Sequence, residues 1–226
     1  MTKKESDEPM DLSGAHPIDP GAVVSMCNWL QINDVRVIKP ALCSLVDILS
    51  RTDKATDRVI DCGILRLLVP LLQHKKIKIV ENSAWIISYI TAGTEQQIQA
   101  VIDSDVIQYL THIMQKGNFK SQKAAVWAIT NIILAGTMNQ IRVMVDKFKI
   151  LGPYLDLMDT KDERTTKMIL NGLTRILCNA QHFGGLDHLT LMVEQLGCLD
   201  KLEALQTHQD VVIYKMSYDI IDKYFS

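Results

Sequence analysis

The stretch TEQQIQAVIDSDVI, residues 94–107, decides the fold because it has two copies in the same chain. TDKATDRVIDCGIL occupies 52–65 and TMNQIRVMVDKFKI occupies 137–150, so the starts lie 42 and 43 residues apart. The segments after the copies match as well. RLLVPLLQHKKIKIVENSAWIISYITAG, QYLTHIMQKGNFKSQKAAVWAITNIILAG and GPYLDLMDTKDERTTKMILNGLTRILCNA each hold two apolar-periodic segments around a polar turn. Each unit therefore reads as three short helices, and no run alternates with the period of two that a strand requires. A helix trio of this size cannot bury its apolar face alone, so the units must stack on one another.

A period of this length with three helices per unit predicts an all-α solenoid of the armadillo or HEAT kind. The units are expected at 52–93, 94–136 and 137–180, preceded by a partial first repeat over 19–50 and followed by a terminal repeat over 186–225. Residues 1–17 are polar, contain Pro and Gly, and read as a disordered N-terminal segment; the repeat domain then runs over 18–226. Gly93 and Gly136 come directly after the last helix of their repeats, where a left-handed glycine commonly ends a helix.

Composition narrows the function. The 226 residues carry a net charge of −2, which gives no basic excess for nucleic acid or an anionic membrane surface. The start has no apolar core of a signal peptide, and no apolar run reaches the ~18 residues of a membrane span. Five cysteines form no C-x-x-C pair and six histidines show no ligand spacing, which points to a reducing compartment and to no metal or other cofactor. No acid/base or nucleophile arrangement recurs, so the chain is read as a non-enzyme with no catalytic residue.

The last helix of each unit carries the informative side chains. On a 100° wheel with Val126 at zero, Ile129 and Ile133 share its side, whereas Trp127 and Asn131 lie about 100° and 140° away. The same frame places Ala84, Ile87 and Ile90 inward and Trp85 and Tyr89 outward. One unit earlier Cys43 and Asp47 point outward, and one unit later Asn171 and Arg175 do. A tryptophan off the core arc either packs on the neighbouring repeat or lines a binding surface; two of them one repeat apart favour the surface.

ENSAWIISYITAGTEQQIQAVID, AAVWAITN and LDKLEALQTHQDVVIYKMSYDIIDKYF together resemble the C-terminal half of importin-α (karyopherin-α), over about residues 36–225 and repeats six to ten. The resemblance implies an armadillo-repeat, right-handed α-solenoid with a concave groove lined by the third helices. There, tryptophans hold the aliphatic stems of Lys and Arg while asparagines one turn on bond the peptide backbone. Carried over residue by residue, Trp127 and Asn131 form the full pair, Trp85 is the preceding tryptophan, and Asp53 is the acidic residue for a lysine head. Tyr89 and Asp47 stand where asparagines are expected, and Asn171 lines the next rung. Asn82 and Ala124 stand at positions that are often glutamate in that groove.

The resemblance thus implies a minor-site-like adaptor for Lys/Arg-rich segments in nuclear protein import, moving between nucleus and cytoplasm. It names as further partners the export receptor or a nucleoporin, met through the C-terminal repeats. The N-terminus offers only Lys3 and Lys4 before an acidic run, in place of the basic importin-β-binding segment, so importin-β is a doubtful partner. The alternative is an armadillo scaffold or regulator that binds transport partners, or dimerises, without binding cargo signals.

Overall fold

The computed structural model describes residues 20–225, and the expected N-terminal segment 1–17 lies outside them. Among the described residues there are helices and no strands. Two helices come first, α1 (Pro20–Trp29) and α2 (Val35–Arg51). Four triplets come after them. The first comprises α3 (Thr56–Asp61), α4 (Ile64–Leu72) and α5 (Ile77–Thr91), entered through a 3-10 turn at Asp53–Ala55. The second comprises α6 (Glu95–Asp103), α7 (Val106–Lys116) and α8 (Phe119–Ala135). The third is α9 (Met138–Asp146), α10 (Leu151–Leu155) and α11 (Glu163–Phe183), and the last is α12 (Leu186–Gln195), α13 (Cys198–Leu205) and α14 (Val211–Tyr224).

The apolar arc on each third helix is what joins the triplets. Val126, Ile129 and Ile133 on α8 are fully buried, as are Ala84, Ile87 and Ile90 on α5 and Leu170, Leu173 and Leu177 on α11. Burying one such Leu, Ile or Val side chain is worth about 1.5–3 kcal/mol. Because α5 packs on α8 and α8 on α11, a single core runs along the array instead of closing within each triplet.

Caps fix where the helices begin. Thr94 and Thr137 each accept a hydrogen bond from the backbone N–H of Gln97 and Gln140, whose side chains accept one in return from the threonine N–H. Both are complete capping boxes. Asp34, Asn118, Asp162 and Asp210 open the third helices α2, α8, α11 and α14 by accepting from backbone N–H groups.

These boxes also correct the reading of Gly93 and Gly136. Neither is left-handed; among the described residues the glycines with positive φ are Gly63, Gly184 and Gly197. What positions 93 and 136 require is close approach. A Cβ on Gly93 would lie 1.7 Å from Gln97 Oε1, and one on Gly136 would lie 2.4 Å from the Ile132 carbonyl oxygen. The chain turns from α5 into α6, and from α8 into α9, with no room for a side chain.

Tyr154 on α10 is the largest fully buried side chain. Its hydroxyl lies 2.7 Å from Thr130 Oγ1 of α8 and donates to the Met168 carbonyl of α11 at 3.2 Å. Burial pushes the phenol above its ordinary range, which keeps it a neutral donor. Gly172 makes the space, since a Cβ there would meet the hydroxyl at 2.2 Å. Burial likewise lifts the Cys27 thiol to about 12, with Cys62 beside it adding to the shift.

Two ion pairs repeat along the third helices. Lys123 of α8 reaches Asp162, the cap of α11, and Lys167 of α11 reaches Asp210, the cap of α14. Partial burial works against the Asp162 carboxylate and is the largest single effect, but the Lys123 ammonium and hydrogen bonding from Thr165 together hold the carboxyl below its ordinary 3.8. A depressed carboxylate contributes stability that is complete above its ordinary value and lost as pH falls through the folded-state value.

These contacts set two expected outcomes. Gly172→Ala should lower stability by about 1–3 kcal/mol through overpacking against Tyr154, measured by urea unfolding. Asp162→Asn keeps the cap but loses the charge. It should cost about 0.5–1 kcal/mol at pH 7 and show no such deficit once the pH is well below 3.8, where the wild-type carboxyl is also neutral.

Candidate peptide-binding surface

Counting from the N-caps aligns the third helices. Nine residues after Asp34, Lys76, Asn118, Asp162 and Asp210 stand Cys43, Trp85, Trp127, Asn171 and Asp219. Thirteen residues after the same caps stand Asp47, Tyr89, Asn131, Arg175 and Lys223. The structure brings the central members together. The rings of Trp85 and Trp127 lie 6.0 Å apart at 54°, and those of Trp85 and Tyr89 lie 6.4 Å apart at 33°. Such tilted pairs are worth about 0.5–1.5 kcal/mol beyond their burial.

Trp85, Tyr89, Trp127 and Asn131 are half-buried, not a fully exposed row. Lateral contacts between third helices account for this. Asn131 donates through Nδ2 to the Ser88 carbonyl of α5 at 2.9 Å. Asn82 donates to Cys43 Sγ of α2 at 3.1 Å and is itself buried, as is Ala124. The Arg164 guanidinium of α11 sits 4.5 Å from the centre of a Trp127 ring. Thus each rung covers part of the next.

The remaining expected residues lie further out. Asp47 is exposed and paired with Arg51 at 2.9 Å, which offsets its charge. Asn171 and Arg175 are exposed. Asp53 belongs to the 3-10 turn at Asp53–Ala55, and its side chain lies outside the described residues.

The groups on this surface are chemically able to accept from an extended chain and to pack against apolar stems. Asn131 uses one amide hydrogen on Ser88 and keeps its carbonyl oxygen to accept from a peptide N–H. The outer faces of Trp85 and Trp127 offer apolar ground for a Lys or Arg stem. A stem between two parallel rings would need about 7–8 Å between them, so the 6.0 Å pair is closed to one. Among the described residues no group of three His, Cys, Asp or Glu side chains could hold a metal, and no helix is long and apolar enough to cross a membrane.

Arg164 is the participant that the wheel did not identify. A basic residue stands two positions after the N-cap in four successive third helices, as Arg36, Lys78, Lys120 and Arg164. That recurrence is visible in the sequence. Position alone does not decide which of them meets an aromatic ring, since Lys120 has Trp85 one repeat earlier in the place where Arg164 has Trp127.

Comparison with known proteins agrees with the repeat reading. Residues 52–92 and 94–133 match the armadillo/beta-catenin-like repeat, and 187–226 match the atypical armadillo repeat. Importin subunit alpha-3 of Caenorhabditis elegans is 38% identical over 93 residues, 41% of this chain and 18% of that protein. The chain is an importin-α-like armadillo-repeat protein.

Importin subunit alpha-8 of Mus musculus is 27% identical over 97 residues, 43% of this chain and 19% of that protein. The matches therefore span under a fifth of either relative's length. Among solved structures, a designed armadillo repeat protein in complex with peptide (KR)4 superposes with a TM-score of 0.75 at 24% identity, over 89% of this chain and 81% of that one. Computationally designed armadillo repeat proteins for modular peptide recognition give 0.67 at 23% identity, over 88% and 98%. These likenesses show the fold. Importin-α-like armadillo arrays are non-enzymatic binding scaffolds, and this chain has that architecture.

Arg164 shields the indole it covers. Arg164→Ala should increase acrylamide quenching of Trp127 fluorescence while changing stability by no more than about 1 kcal/mol, the scale of an exposed cation–π contact. Unchanged quenching, read in a Trp29→Phe, Trp85→Phe background, would show that the guanidinium does not cover the ring in solution.

Proposed function

We propose that this importin-α-like protein binds extended Lys/Arg-rich segments across its third helices and serves as an adaptor in nuclear protein import, in nucleus and cytoplasm. The observation that carries this reading is the Arg164 guanidinium over the Trp127 ring at 4.5 Å. The chain's own arginine occupies the kind of place that a cargo cation would take. A cation over such a ring gains about 0.5–2 kcal/mol. Trp85 and Trp127 would supply the apolar ground, Asn131 the backbone acceptor, and Tyr89 a phenol at the neighbouring rung. Asp53 would add selectivity for positive charge, Asp47 would do so where a ligand cation displaces Arg51, and Asn171 would continue the surface toward the C-terminal repeats. The solved neighbour that carries peptide (KR)4 on the same fold supports this choice of ligand.

Arg164 then acts as an internal competitor. An incoming arginine must displace it or stack on Trp85 instead. The closed Trp85–Trp127 pair and the neutralised Asp47 favour a second reading, in which the array is a scaffold that engages transport partners without reading cargo signals. The export receptor, a nucleoporin or a second copy of the chain would then be the partner.

Fluorescence anisotropy with a labelled basic localisation-type peptide separates the two. Under the adaptor reading, Trp127→Ala weakens binding by about tenfold or more, the effect of losing an aromatic hot spot. Arg164→Ala strengthens it roughly threefold or more by removing the competitor. No wild-type binding below ~1 mM, or equal affinities for all three proteins, would leave the scaffold reading standing.

A further inference from the structure

The first helices of successive repeats are stitched together by the glutamines of their capping boxes. Gln97 of α6 donates to Asp57 Oδ1 of α3 at 2.6 Å. Gln140 of α9 donates to Gln99 Oε1 of α6 at 2.9 Å and to the Glu95 carbonyl at 3.2 Å. The stitch ends there. At α12 the cap is Gly185, which makes no side-chain cap bond, and the position of the glutamine is taken by His188, which is exposed. In addition α11 has 21 residues against 17 in α8, and its extra turn carries Ala180 and Phe183 into the gap.

A cleft of about 440 Å³ lies where the stitch is missing, between α9, the end of α11 and α12. Ile141, Val145, Ile176 and Leu189 form buried apolar walls, with Met192 beside them. Met138 and Phe183 stand at the mouth, 44% and 69% exposed. The volume falls within the ~300–1,000 Å³ of small-molecule sites, which are mostly apolar with a few placed polar groups. It shares no residue with the Trp85–Trp127–Arg164 cluster.

One buried polar side chain is placed in that wall, while Asn139, which also lines the cleft, is exposed. Asn179 lines the cleft and is 7% exposed, and its Nδ2 is buried with no hydrogen-bond partner among the described residues. A buried amide left unpaired costs about 1–3 kcal/mol, so an acceptor brought to it is strongly favoured. The charged groups cannot provide a counter-ion inside. Arg142 and Asp146 are exposed and paired with each other at 3.2 Å, and His188 is also at the surface. Both kinds of ligand would lose hydration against apolar walls, but the loss is far larger for an ion, and a neutral acceptor recovers it through the bond to Asn179.

We propose that the α9–α12 cleft is a binding site for a neutral, largely apolar small molecule with one accepting carbonyl oxygen, which Asn179 recognises. The ligand enters apolar body first against Ile141 and Leu189, and its ketone, ester or amide oxygen accepts from Asn179 Nδ2.

Acetophenone and ethylbenzene test this, because they match in shape and differ in the carbonyl. Both are titrated into the ¹⁵N-labelled protein and followed by NMR, including the Asn179 side-chain resonances. The expected result is that acetophenone binds roughly fivefold tighter or more, shifts the Asn179 amide, and loses that advantage in Asn179→Leu. Phe183→Ala, a change at an exposed position, should weaken acetophenone without affecting the fold. Equal affinities in the wild type, no shift of the cleft resonances, or a carbonyl preference that survives Asn179→Leu would each overturn the proposal.

Discussion

Burial shared between neighbouring third helices is the constraint on which the rest of this protein depends. Ile87 and Ile90 on α5 and Val126, Ile129 and Ile133 on α8 are all fully buried, and no single triplet has enough apolar surface to bury its own set. The remaining features tune that arrangement. Capping boxes fix where first helices begin, the Lys123–Asp162 and Lys167–Asp210 pairs tie third helices at their starts, and Tyr154 bolts one middle helix to two third helices. The surfaces proposed to bind ligands are what this leaves uncovered, namely the outer faces of the aromatic rungs and the cleft where one stitch is missing.

Much of the fold could be read directly because it depends on period. The 42-residue copies and the 100° wheel placed Ala84, Ile87, Val126 and Ile129 inside, and all four are fully buried. Local conformation was less accessible. Gly93 and Gly136 have the sequence look of left-handed stops, yet their role is to clear space for Gln97 Oε1 and for the Ile132 carbonyl, contacts between groups that the wheel cannot set against each other.

The nearness of Trp85, Tyr89, Trp127 and Asn131 was legible in the sequence, and their degree of exposure was not. The wheel turns Trp127 and Asn131 off their own core, but it says nothing about what the next helix brings. Ser88 takes an Asn131 hydrogen and Arg164 covers a Trp127 ring, so both side chains are already engaged within the molecule. The same gap explains why Asn179 passed unnoticed. It is an ordinary residue near the end of a helix until the fold buries its Nδ2 in the cleft wall with no hydrogen-bond partner among the described residues.

Tyr154 and Gly172 have a consequence for how far this solenoid is modular. The tyrosine hydroxyl stands where a side chain at 172 would have to go, and its other partner, Thr130, belongs to the previous repeat. The three positions form a matched set that crosses a repeat boundary. A unit exchanged for its neighbour, or copied to lengthen the array, would bring Tyr154 to a helix lacking the glycine or leave Thr130 facing a gap. In this stretch the repeats are dovetailed as individuals, and their order along the chain is part of the fold.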